Sequence, residues 1–392
     1  MSVELAPSVH NSSNIILGAL KTDQTPEKWE SDFVKKGIHW DDLSIRAIVF
    51  GLAPLLHHRF SEWGYALPPR AAAKLSANYL AHEERNQRIA SQLGEVLASC
   101  HDKGLHPVAL KGAHLAAWVY PAPALRPMND IDLLFPPQEL WEAEQVLEQL
   151  GYGGKRKSPN VGAGVTKHTS TFRRDTPTGA TPNPYLSTSA EAMVEPHTSL
   201  EESWFGLKVN ITPGVMERAQ MAALFGHPCR VLEPTDLLLH LCIHFCFHLI
   251  MGAPSMVQLV DLSTVIQKGD IDWETFVARA SSCRAAPFAL TSLTLAEKLL
   301  SAPIPDFVTS NLKSQTPGPL AARISGLDLS HILKRTQQKP LISIQARLRR
   351  GIADRRETAQ WAPDFRAQLQ VWSTLLTFWR TDTGRMLLHK GK

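Results

Sequence analysis

Three rhythms of apolar and polar positions follow one another along the chain. Up to Gly104 the spacing is three and four. WDDLSIRAIVFGLAPLLHHRF (40–60) has that spacing behind an acidic start, and AAAKLSANYLAHEERNQRIASQLGEVLASCHDKG (71–104) continues it to a glycine stop, so both predict helices. Then the period shortens. HPVALKG predicts a short buried strand, GAHLAAWVYP a helix closed by prolines, RPMNDIDLLF a second strand, and PQELWEAEQVLEQLGY a helix ended at Gly151. Strand, helix, strand, helix is an α/β order.

Residues 153–190 are rich in Gly, Ser, Thr, Pro and Lys. So long an irregular segment is more often a functional loop than plain connection, and VTKHTSTFRR could still hold a strand within it. AEAMVEPHTSL predicts a strand carrying Glu195, followed by GLKVNITPG. From Pro234, with Thr235 or Asp236 as the expected cap, the pattern is helical: DLLLHLCIHFCFHLIM, SMVQLVDLSTVIQKG and DWETFVARASSC, then less regular basic segments. No internal repeat or heptad run is present. The expected organisation is a helical region 1–104, a core 105–232 and a helical region 233–392.

Composition adds bounds. At 392 residues, with 44% hydrophobic and 20% charged, the chain is globular and long enough for more than one core. The first twenty residues lack a basic region followed by a clean apolar one, so no signal peptide is expected. LLLHLCIHFCFHLIM (237–251) is short for a membrane span and carries three histidines. Five cysteines with no CxxC pair fit a reducing compartment. The expectation is a cytoplasmic protein without a membrane partner. Net charge is +4, but Lys334–Lys392 holds 13 Lys and Arg against 4 Asp and Glu. That run could meet RNA phosphates or an acidic peptide, or be a helix face whose Arg stems lie on apolar neighbours.

Chemistry concentrates in RPMNDIDLLF (126–135). A strand sends alternate side chains to one face, so Asp130 and Asp132 project together. Carboxylates that close repel unless a cation sits between them, and hard cations take oxygen ligands plus substrate phosphates. An exposed acidic strand start would look the same. HLCIHFCFH offers a second candidate. As a strand it would face His240, Cys242, His244, Cys246 and His248 together as a soft-metal site; as a helix, the expected form, it stacks His240, His244 and His248, which could bind zinc but more commonly pack. Asp261 reads as a packing or hydrogen-bonding residue, and Cys229 has no evident base.

The segment LKGAHLAAWVYPAPALRPMNDIDLLF resembles the signature of the nucleotidyltransferase superfamily, in the branch of uncharacterised nucleotidyltransferases related to abortive-infection type toxins. Lys111, Gly112 and Leu115 match K-G-x-x-L at a strand-to-helix turn; Arg126, Asp130 and Asp132 match R-x-x-x-D-h-D on the next strand. The likeness runs from about Trp40 through VEPH, and loosely to about residue 280. It implies a small mixed sheet flanked by helical N-terminal and C-terminal parts. It also implies transfer of a nucleoside monophosphate from an NTP to an acceptor hydroxyl with release of pyrophosphate.

By resemblance Asp130, Asp132 and Glu195 are catalytic and hold Mg²⁺ or Mn²⁺, with Glu191 and Asp175 as fallbacks for Glu195. Lys111, Gly112, His114, Arg126, Asn129 and His168 are expected to contact the nucleotide, with ATP the expected donor. Independently, a glycine at a helix start lets the backbone approach a triphosphate, and Lys111 and Arg126 add positive charge. His114 stands where many relatives carry Ser or Thr, and Ala113 where related toxins have a second glycine; an imidazole can still donate to phosphate. Lys155, Arg156, Lys157, Lys167, His168, Arg173 and Arg174 of the long loop could cover nucleotide or acceptor. The acceptor is open between an RNA end, a peptide and a small molecule, and a protein partner is compatible with the sequence. Phosphoryl transfer at the same site, and a catalytically silent binding module or toxin–antitoxin component, are the alternatives.

Overall fold

A computed structural model describes residues 7–34, 37–156, 170–174, 193–336 and 344–376. The structure is α/β, as expected, with helices on both sides of a mixed sheet. The strands are β1 (Val108–Ala109), β2 (Asp130–Leu134), β3 (Gly153–Arg156), β4 (Ser170–Arg173), β5 (Met193–His197), β6 (Glu201–Trp204), β7 (Leu207–Asn210), β8 (Gln220–Leu224) and β9 (His227–Val231). Seven form one sheet in the order β3-β4-β5-β2-β1-β9-β8; β6 and β7 form a separate hairpin. At its centre β2 runs parallel to β5 and antiparallel to β1, and β1 runs parallel to β9.

Strand alternation divides the core in two. Ile131, Leu133 and Phe135 face one side with Val194, against Ile89, Leu93 and Val96 of the helix Pro69–Asp102 and Val146 and Leu147 of the helix Leu140–Gln149. Val108, Leu110 and Leu134 face the other side and join the larger helical core. Asp132, Glu195 and His197 share the parity of Leu134, so all three lie on the face toward the C-terminal helices.

The N-terminal helices close on an aromatic cluster in which buried Trp29 meets Phe60 and Tyr65 edge-on at 5.1 and 5.4 Å. The 40–60 pattern makes two helices, Trp40–Val49 and Ala53–Glu62, because Gly51 between them takes φ 70°. GAHLAAWVYP is helical but irregular. An α-turn, Lys111–His114, passes into a π-turn, Leu115–Val119.

The apolar pattern after Pro234 is a helix, Pro234–Met251. Its cap differs from expectation: Glu233 precedes the helix, while Asp236 is drawn to Arg218 Nε and Arg279 Nη1 at 2.7 Å each. Among the described residues it alone is long and apolar enough to cross a membrane, but 83% of it is buried inside the fold. His240, His244 and His248 stack along it at 5.9 and 4.2 Å between ring centroids, and His244 Nδ1 lies 2.8 Å from Glu202 Oε1 on β6. The stripe therefore ties the β6–β7 hairpin to the helix. That hairpin turns at Phe205 (φ 44°) and Gly206 (φ 82°), the paired positive values a two-residue turn needs. Arg355 of the basic helix Ile344–Ala359 is buried, with its guanidinium 4.3 Å from the Phe205 ring. Part of the basic run is thus packed into the fold.

Candidate active site

The register of β2 and β5 builds the site. Asp132 sits opposite Glu195 and Leu134 opposite His197, so residues some sixty positions apart become neighbours on one face. One ligand atom from each of Asp132, Glu195 and His197 lies within 4.8 Å of the others. Asp130 opens β2 on the same parity, where burial and the Asp132 carboxylate push its carboxyl up to about 7.

Lys111 reaches this group from the end of β1. It holds a left-handed φ of 43°, uncommon for a side chain with a Cβ, and its Nζ is 3.0 Å from Asp132 Oδ1. Burial favours the neutral amine, yet Asp132 and Asp130 keep it above its ordinary value. Burial also works against the Asp132 anion, but Lys111 and His197 outweigh it and hold that carboxyl well below the usual range. His197 Nε2 is 2.6 Å from Asp132 Oδ1, and burial keeps its imidazole below the ordinary histidine value. Thr171 Oγ1 of β4 donates to Glu195 Oε1 at 3.1 Å.

Gly112 follows Lys111. A Cβ there would meet Met128 Cγ at 3.5 Å and Arg126 Nη1 at 3.9 Å, ordinary contact distances. Neither crowding nor a positive φ in this fold calls for glycine at that position, which suits a backbone left open to a ligand. Asn129 Oδ1 is buried with no hydrogen-bond partner, immediately before Asp130.

The remaining expected residues divide. Arg126 is bound to Asp261 of the helix Met256–Lys268: Nε donates to Oδ1 at 2.8 Å and Nη2 to Oδ2 at 2.8 Å, while Nη1 donates to Pro127 O. Tyr120 Oη donates to the same Asp261 Oδ1 at 2.8 Å. From the other side Arg85 Nε donates to Met128 O at 2.8 Å and Asn86 Nδ2 to Arg126 O at 2.9 Å, so the long N-terminal helix braces the approach to β2. His114 is buried at the end of the α-turn Lys111–His114 and lines a cavity toward β9. Arg174 is held by Glu95 Oε2 at 2.8 Å and lies 4.5 Å from the Tyr152 ring, whereas Arg173 is exposed. His168, Lys157, Lys167, Asp175 and Glu191 lie outside the described residues, as do the side chains of Lys155 and Arg156. Cys229 is buried, its Sγ 3.3 Å from Arg230 O and 3.8 Å from Pro107 O.

Residues 36–301 match a family of sequences described as uncharacterised nucleotidyltransferase. The chain belongs to that family. This nucleotidyltransferase is also similar to two solved structures of one protein. A crystal structure of ANT(2″)-Ia in complex with adenylyl-2″-tobramycin is 13% identical over 50% of this chain and 97% of its own, with a TM-score of 0.35. A solution structure of the antibiotic-resistance factor ANT(2″)-Ia is 14% identical over 51% of this chain and 94% of its own, with a TM-score of 0.34. None of the curated proteins matches the nucleotidyltransferase in sequence.

His197 and Thr171 were not assigned roles from the sequence. His197 had a signal: E-x-H on a strand puts both side chains on one face. Thr171 had none, since only the pairing of β4 with β5 brings it to Glu195.

Proposed function

We propose that this nucleotidyltransferase moves a nucleoside monophosphate from an NTP, with ATP the expected donor, to an acceptor hydroxyl using Mg²⁺ or Mn²⁺. The observation that carries the reading is the β2–β5 register, which gathers Asp130, Asp132 and Glu195 beside the Lys111–Gly112 turn. Three carboxylates share this ground with one lysine, and burial together with the neighbouring Asp132 carboxylate raises Asp130. An all-oxygen carboxylate set suits a hard divalent cation, so the residues fit the metal that this chemistry requires. Asp130, Asp132 and Glu195 would hold it, with His197 fixing the Asp132 carboxylate; bound there, it would neutralise charge on the triphosphate and on the leaving pyrophosphate.

The acceptor oxygen bonds to the α-phosphorus, the bond from that phosphorus to the oxygen bridging to the β-phosphate breaks, and pyrophosphate departs. Glu195 takes the acceptor proton. Gly112 lets the backbone approach the phosphates and Lys111 supplies fixed positive charge, so most of the rate comes from positioning and preorganised electrostatics. Arg126 acts near the phosphates through its place beside Gly112, held there by Asp261.

Thermal shift with each NTP, with and without Mg²⁺ or Mn²⁺, tests the reading on the wild type and on Asp130→Asn/Asp132→Asn. A metal-dependent shift with ATP that the double variant loses is expected. No shift with any NTP would leave a silent binding module as the better account. Product carrying label from γ-labelled but not α-labelled ATP would replace nucleotidyl by phosphoryl transfer.

A further inference from the structure

Asp132 has two side-chain partners among the described residues, and both meet the same oxygen. Lys111 Nζ lies 3.0 Å from Oδ1 and His197 Nε2 lies 2.6 Å from it. The lysine side chain is 14% exposed and the aspartate 1%, so water screens little of their attraction. Glu195 stands opposite Asp132 across the β2–β5 pair, and Asp130 opens the same strand. Lys111 is thus the counter-ion at the centre of the carboxylates that would hold the metal.

The turn that delivers this ammonium is built against local preference. Lys111 holds φ 43°, in the region that favours glycine, whereas Gly112 beside it has no positive φ. A chain selected for the turn alone would put the glycine first. The order found here sets the flexible stem of a lysine over Asp132 and leaves the open backbone one residue further on.

An ammonium and a divalent cation on one carboxylate repel each other. A metal bound to either oxygen of Asp132 would stand one carboxylate away from Lys111 Nζ, so lysine and metal compete for the same negative charge. A triphosphate changes that balance. Its oxygens offer the ammonium a second partner at the Lys111–Gly112 turn, which frees Asp132 for the metal.

We propose that Lys111 is an exchangeable counter-ion that couples metal binding to nucleotide binding: it holds Asp132 until a triphosphate draws it off, so metal alone binds weakly and metal with NTP binds tightly. The positive charge stays in the site throughout, and only its partner changes. By linkage, the metal assists nucleotide binding by the same factor. Towards the metal Lys111 acts through Asp132 and is a positioning residue. The metal and the triphosphate are those of the nucleotidyl-transfer reading, on which this proposal rests.

The test is Mn²⁺ binding to the full chain, followed by the electron spin resonance signal of the free ion, together with calorimetry of ATP in saturating Mn²⁺. Wild type is compared with Lys111→Met, Lys111→Gln and Asp132→Asn. Either lysine variant should bind Mn²⁺ alone about tenfold more tightly than the wild type, and ATP in Mn²⁺ about tenfold less tightly. A lysine that only supports the fold would weaken both. Mn²⁺ alone should also raise the melting temperature of the lysine variants more than that of the wild type, because it supplies the missing counter-charge even where a variant folds poorly without it. Mn²⁺ binding that is equal or weaker in both lysine variants, or ATP binding left unchanged, overturns the counter-ion role and leaves the metal site standing. Mn²⁺ binding that is absent with and without ATP, or indifferent to Asp132→Asn, overturns the metal reading and this proposal with it.

Discussion

The Arg126–Asp261 pair joins the segment leading into β2 to the C-terminal helical layer. Asp261 is fully buried and receives both arms of the guanidinium at 2.8 Å plus the Tyr120 hydroxyl. Burial and the Asp261 carboxylate hold that hydroxyl protonated well above its ordinary range, so it remains a donor. Two unit charges about 4 Å apart attract by about 4 kcal/mol at an effective dielectric of 20. Removing one partner strands the other in a dry site and typically costs about 3–5 kcal/mol. Asp261→Asn and Arg126→Gln should therefore each destabilise strongly, and the double variant should lose much less than the sum, leaving a coupling of about 2–4 kcal/mol. Tyr120→Phe should cost about 1.5–3 kcal/mol, the range for a hydrogen bond to a charged acceptor. Urea unfolding followed by tryptophan fluorescence gives the four corners of the cycle. A coupling below about 0.5 kcal/mol, the additivity of independent sites, would refute the claim that these residues act as one unit.

Gly112→Ala should leave the melting temperature unchanged or slightly higher, because the new Cβ meets its nearest neighbour at 3.5 Å, while the ATP–Mg²⁺ shift falls; a destabilised variant that still binds nucleotide would contradict an open backbone there. His114 is neutral in the fold down to about pH 3, while the unfolded chain takes up the proton near 6.5, so its contribution is complete above that value and declines as pH falls. The loss should approach about 1.4 kcal/mol per pH unit below pH 6, and denaturation of His114→Gln across that interval should show a shallower slope. Among the cysteines only Cys283 is partly exposed, whereas burial pushes Cys100 and Cys246 up to about 12 and Cys229 to about 11. A thiol reagent should modify Cys283 first and the others only on unfolding; rapid labelling of Cys229 would overturn its placement under Pro107.

What the sequence disclosed follows the reach of each physical cause. The alternation in RPMNDIDLLF is local, so β2 and the shared face of Asp130 and Asp132 were readable from ten residues. The helical stacking of His240, His244 and His248 was readable for the same reason, since an apolar run of that length behind a proline favours one period over the other. Departures began where a neighbour competes with a local preference. The helix Pro234–Met251 starts at its proline, two residues ahead of Asp236, whose carboxylate goes to Arg218 and Arg279, and Gly51 breaks a continuous apolar period because its own φ is positive.

Glu195 shows where local reasoning stops. Its place opposite Asp132 depends on a parallel pairing of strands sixty residues apart, and nothing within either strand specifies it. The family signature pointed to Glu195 because it encodes that pairing. His197 came within reach once the strand was assigned, because period two carries it to the face Glu195 occupies. Asp261 did not: 135 positions separate it from Arg126, and a buried aspartate on an apolar helix face shows only that some partner must exist. In a site assembled from distant strands, each residue is legible to the extent that it shares a short periodic segment with one already known. Arg126 thus had a known charge and, until the fold brought Asp261 beside it, no known partner.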